Sequence, residues 1–203
     1  MSATVAPTAT DRSDFPSVLV AGTKLGVVIT LAVVVYLAVA RYLPEGTASM
    51  VEALLVLAGG TAAAFLPGRW AVARTIEGIA GGAGIGLWGG LVFSILDIAV
   101  LRPLNAYPWT WDDVGGGSSW WYHPIWWMLG TFLAWMGGIL TASAAARGRS
   151  SLTSIAGPVL AGAVLLAAAG RAAGVHAVLP VLAGLGFTVT LVALVVVALA
   201  RKA

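Results

Sequence analysis

Six apolar runs dominate the chain, and little that is polar interrupts them. They fall near 20–43, 48–66, 76–101, 121–146, 154–173 and 176–200. Each approaches or exceeds the roughly 20 residues a helix needs to cross a bilayer. The pattern predicts an all-α fold, a polytopic bundle of six transmembrane helices forming a single domain over 18–203. Residues 1–17 are small, polar and aperiodic, and read as a disordered tail. The second run is the weakest crossing, since Glu52 and Pro67 bracket it and Gly59-Gly60 lie inside. Ala38-Val39-Ala40 after the first run imitates a signal-peptide cleavage site. Asp11 and Asp14 upstream are unlike a basic n-region, so the run is read as a retained helix.

Composition supports the same solvent. Sixty per cent of the 203 residues are hydrophobic and 9% are charged, where a soluble domain carries about 25% charged residues. The net charge of +3 is spread singly between apolar runs, which excludes a nucleic-acid face. It serves orientation instead. With the N-terminus inside, Arg12, Lys24, Arg69, Arg74, Arg147, Arg149, Arg201 and Lys202 are cytoplasmic, and only Arg41, Arg102 and Arg171 are outside. Both termini are therefore expected in the cytoplasm. The Ala-, Gly- and Val-rich composition fits a bacterial source, so the expected location is the inner (cytoplasmic) membrane. Cysteine is absent, which excludes disulfides, thiolate metal sites and covalent haem attachment.

Small residues mark the predicted contacts between helices. In the third run Gly78, Gly82, Gly86 and Gly90 recur every four residues, and in the fourth Gly130, Ala134 and Gly138 repeat the device. Lipid tails are as apolar as leucine, so close backbone approach rather than hydrophobic burial joins such helices. The third and fourth helices are expected to form the tightest contact. Packing within the chain is the first reading of these strips, and docking onto another subunit or a second copy is the other.

Ionisable groups in the spans are the candidate chemistry. Asp97 lies seven residues beyond Gly90, about 20° from it around a helix, and so points into the bundle. An intramembrane carboxylate needs a partner. Arg171, at a similar depth in the fifth run, is the expected one. A clamp between helices is the first reading of this pair, and a proton or cation site is the second. His123 and His176, the two histidines, sit at helix ends. They are candidate ligands for a haem or pigment, and His123 with Asp112, Asp113 or Asp97 for an outer-face metal. The sequence specifies no cofactor.

The longest loop, at 102–122, is tryptophan-rich. Trp109, Trp111, Trp120, Trp121, Trp126 and Trp127 put six of nine tryptophans on one side of the membrane, an expected outer aromatic platform at the headgroup level. Three functions follow from these features. The first is a non-catalytic accessory subunit of a larger inner-membrane complex, docking through small-residue faces and the aromatic loop. The second is a small-molecule or ion transporter, or substrate-binding component, using Asp97 and an aromatic outer pocket. The third is a metal, haem or pigment carrier using the histidines. Clustered catalytic residue types are missing, so an enzyme is not the preferred reading.

Overall fold

The computed structural model describes residues 12–107 and 122–201. Six helices are long and apolar enough to cross a membrane, the makeup of a multi-pass membrane protein. They are α1 (Phe15–Tyr42), α2 (Glu45–Trp70), α3 (Ile76–Leu96), α4 (Tyr122–Ala145), α5 (Leu152–Ala172) and α6 (Leu179–Ala200). A single π-helical turn, Asp97–Leu101, extends α3. The shortest helices have 21 residues, about 32 Å at 1.5 Å per residue, which matches a hydrocarbon layer of about 30 Å.

Large apolar side chains cover the outer faces of the bundle, and small residues occupy many of the close helix contacts. Leu31, Leu54, Leu165, Leu185 and Val196 face outward, while Ala64, Ala134 and Ala163 are fully buried. Large apolar groups meet lipid, and small ones let backbones approach. The pair α3–α4 is the most extensive in the bundle, followed by α1–α3 and α5–α6. A methyl group on Gly130 would lie 2.9 Å from the Gly86 carbonyl oxygen, and one on Gly86 would lie 2.6 Å from the Ala134 Cβ. Gly82 turns instead to Gly68 of α2, and Gly137 lies so close to the Ala64 carbonyl of α2 that no side chain fits. A small-residue face therefore serves two neighbours at once. On α1, Gly26 leaves room for Val92 of α3, and Trp88 Nε1 of α3 donates to Thr23 Oγ1 at 3.0 Å.

Two boundaries differ from the sequence expectation. Helix α1 begins at Phe15, inside the stretch read as a tail, because Asp14 caps it by accepting from the Ser17 amide at 3.1 Å. Pro16 fits the first turn, whose amides lack helical partners. Helix α2 runs 26 residues, and Glu52 lies within it rather than at its edge. Tyr36 of α1 lies opposite this carboxylate, close enough for the two to interact.

The helices end alike. After α2, α4 and α5 the chain closes with an amide bonded to the carbonyl five residues back: Ala73 to Gly68, Arg149 to Ala144 and Val175 to Gly170. The residue before each of these amides is left-handed, as this motif requires. Gly148 and Gly174 adopt that conformation with φ of +71° and +79°, but after α2 the position is Val72, with φ of +53°. A β-branched residue is strained there.

Replacing Val72 by Gly is therefore expected to stabilise the fold by about 0.5–1 kcal/mol, the left-handed penalty relieved less the added chain entropy of glycine. Thermal unfolding in detergent should show a midpoint about 1–4 °C higher; an unchanged or lower midpoint would argue against strain at Val72. Asp14 gives a pH dependence. The Ser17 hydroxyl and amide hold its carboxyl below the usual 3.8. A depressed native pKa means the cap is intact above the unfolded value and lost as pH falls through the native one. Exchange of the Ser17 amide should accelerate below about pH 4, and Asp14→Asn should abolish that acceleration while keeping the cap.

Candidate functional site

Asp97 is completely buried at the end of α3, and three side chains converge on it. The Arg102 guanidinium donates from Nε to Oδ2 at 2.9 Å. The Tyr107 hydroxyl donates to Oδ1. His123 Nε2 lies 3.8 Å from Oδ2 and 3.3 Å from an Arg102 Nη. Arginine can only donate, so in this contact the guanidinium is the donor to the imidazole. The cluster is an ion pair buttressed by a phenol and an imidazole.

Local backbone geometry builds this arrangement. On an α-helix residue i+5 lies about 140° from residue i, and Arg102 would point away from Asp97. The π turn, closed by the Arg102 amide on the Asp97 carbonyl at 3.0 Å, widens the helix and swings Arg102 back over the carboxylate. Asn105 then takes the left-handed conformation, φ 48°, that short polar side chains tolerate. Its turn, closed by the Ala106 amide on the Leu101 carbonyl at 3.1 Å, returns the chain so that Tyr107 reaches Asp97. His123 arrives from the first turn of α4. Pro124 follows it there without breaking the helix, because the first-turn amides have no helical acceptor. His123 is thus helical and buried, not extended at a wet helix end.

The expected partner of Asp97 needs correction. Arg171 is exposed, and its guanidinium donates to the Ala177 carbonyl at 3.2 Å, closing the turn after α5. The inward direction of Asp97 follows from its helix position, but the cation comes from its own helix end. His176 is exposed in the α5–α6 connection and forms no bond to the cluster. Among the described residues no three metal-ligating side chains are grouped. Asp97 and His123 do approach, but Arg102 occupies the space where a cation would sit. Asp112, Asp113, Trp109, Trp111, Trp120 and Trp121 lie outside the described residues. Trp126 and Trp127 are turned into the bundle rather than onto an outer platform. Trp127 Nε1 donates to Ser94 Oγ at 2.9 Å, and Trp126 meets Phe93 edge to face at 5.5 Å.

Beside the cluster lies a cavity of about 450 Å³ walled by α1, α2, α3, α4 and α6, within the range of small-molecule sites. Gly59, Gly86, Gly90 and Gly130 line it, Gly59 facing open space, and Leu25, Phe93 and Phe187 are among its apolar walls. Two tyrosines supply phenols to this apolar lining. Both Tyr36 and Tyr107 line the cavity; Tyr107 donates to the intramembrane carboxylate of Asp97, and Tyr36 faces Glu52. Sequence reasoning missed Arg102, Tyr107 and Tyr36. The signal that could have found two of them is the run Asp97 to Tyr107, in which Arg, Asn and Tyr follow an intramembrane acid too closely to leave its surroundings. No protein-family model, no curated protein and no solved structure matches the chain, so function is argued from this geometry.

A double-mutant cycle tests the ion pair. Asp97→Asn alone should cost about 3–5 kcal/mol, because it strands a largely buried guanidinium. Asp97→Asn with Arg102→Gln should show coupling of about 1–3 kcal/mol in detergent-titrated unfolding, whereas Asp97→Asn with Arg171→Gln should be additive to within about 0.5 kcal/mol. Additivity in the first pair would remove Arg102 from the site.

Proposed function

We propose that this chain is a substrate-binding or transport component of the inner membrane, which draws a lipophilic molecule with one polar end from the bilayer into the intramembrane cavity. The observation that carries this reading is that Tyr107 belongs to both the cavity wall and the Asp97 cluster. A ligand held there has hydrocarbon walls for its body and a polar group at one end. Among small-molecule sites that combination fixes orientation as well as affinity. The Arg102 pairing makes Asp97 a fixed polar anchor in this proposal, in preference to a proton carrier.

Docking as an accessory subunit has less support. The glycine faces it relied on are engaged within the chain, at Gly86 with Gly130, Gly82 with Gly68 and Gly137 with Ala64. Cytoplasmic termini remain part of the proposal, supported by eight basic residues on that side against Arg41, Arg102 and Arg171 on the other.

The test is occlusion of the cavity. Gly59 lines it, and a side chain built there would meet nothing within 4 Å. Leucine at this position also favours the helix, so Gly59→Leu should fold. A long-chain alcohol bearing a photoactivatable diazirine, dissolved in vesicles with the full protein, is expected to crosslink to cavity residues. Gly59→Leu should reduce that labelling at least fivefold with the unfolding midpoint unchanged or raised. Equal labelling of both proteins would overturn the reading.

A further inference from the structure

A second cavity, about 170 Å³, lies at the opposite end of the bundle, between the end of α4, the start of α5 and the end of α6. Arg147, Arg149 and Arg201 line it together with Ser154. The left-handed Gly148 reverses the chain between the first two arginines, which sets them on either side of the turn. Arg147 donates to Ser143 Oγ at 2.7 Å, using part of a guanidinium that carries five N–H donors. Among the described residues no carboxylate lines the cavity, and none pairs with any of the three arginines. Three like charges around one small space repel one another, and an anion between them would add an attraction to each that offsets this repulsion.

The rest of the lining states what kind of anion. Leu140, Ile155, Pro158, Leu194 and Val197 form the wall that runs from the arginines toward the membrane interior. A free inorganic anion has no use for such a wall. An amphipathic anion has use for both halves, its phosphate between guanidiniums, which match phosphate with paired donors, and an acyl chain along α4, α5 and α6. The location fits as well, because basic pockets between helices on the cytoplasmic side bind anionic headgroups, and the positive-inside bias assigns this end to the cytoplasm. We infer that the Arg147–Arg149–Arg201 cavity is a binding site for an anionic phospholipid, with the phosphate held by the arginines and one acyl chain in the apolar groove below. This site is separate from the proposed ligand cavity and does not depend on it.

The experiment uses the full chain in a mild non-ionic detergent, titrated separately with phosphatidylglycerol, phosphatidylcholine and inorganic phosphate. Binding is read by native mass spectrometry and by the unfolding midpoint. Phosphatidylglycerol should give a retained one-to-one adduct and a raised midpoint, with phosphatidylcholine at least tenfold weaker and inorganic phosphate without effect. The double variant Arg149→Gln, Arg201→Gln should lose at least tenfold in affinity for phosphatidylglycerol. Ser154→Glu is the control for folding. It places an acid in the first turn of α5, which now has none, and so favours that helix while repelling a phosphate. Its midpoint without lipid should hold or rise, and its lipid affinity should fall at least tenfold. Equal binding of the two lipids, equal protection by inorganic phosphate, or variants that bind phosphatidylglycerol as the parent does would each overturn the proposal.

Discussion

The contact of Gly86 with Gly130 is the constraint on which the other features depend. Hydrocarbon offers no reward for burying one apolar helix against another, so contact must come from approach close enough for dispersion and backbone dipoles to act. At this crossing the α3 and α4 backbones touch with no side chain between them. That sets the register of the two helices. Four residues further along α3, Gly90 leaves room for Trp127, whose indole then finds Ser94. Beyond these, Asp97 and His123 are brought into the same buried cluster. The polar site thus stands on an apolar foundation.

The two intramembrane acids are handled in the same way. A carboxylate in hydrocarbon is tolerated when its oxygens are occupied by donors, and each acid here has a tyrosine from another segment beside it, Tyr107 donating to Asp97 and Tyr36 facing Glu52. Because both tyrosines also face the larger cavity, placing them beside the acids and shaping the cavity are one structural act. The opposite end of the bundle uses the reverse chemistry, with arginines around a small groove and no carboxylate among its described lining residues. Asp97 and Arg102 are paired within the chain, whereas the proposal gives these arginines a lipid headgroup as partner.

Much of the bundle was legible in the sequence, because twenty-residue apolar runs have few alternatives and a seven-residue step from Gly90 shows which way Asp97 points. The identity of its partner was not. An α-helical wheel puts Arg102 on the wrong side, and nothing in DIAVLR marks a π turn. The length of α2 was hidden for a related reason, since Glu52 looks like a boundary until Tyr36 is seen across from it. The cavity could not be read at all. Gly59 and Gly86 are the same residue in similar contexts, yet one faces open space and the other a neighbouring backbone. Only the positions of the other helices decide between those fates.

The most direct measurement of the α3–α4 foundation is the thermal unfolding midpoint of Gly86→Leu in detergent, set against the parent protein. Backbone cannot yield as a flexible side chain can, so forcing a side chain between the two helices should cost about 3 kcal/mol or more. That corresponds to a midpoint lower by about 6–12 °C. A midpoint within about 2 °C of the parent would mean the helices do not meet there, and the register that assembles the Asp97 cluster would have to come from elsewhere.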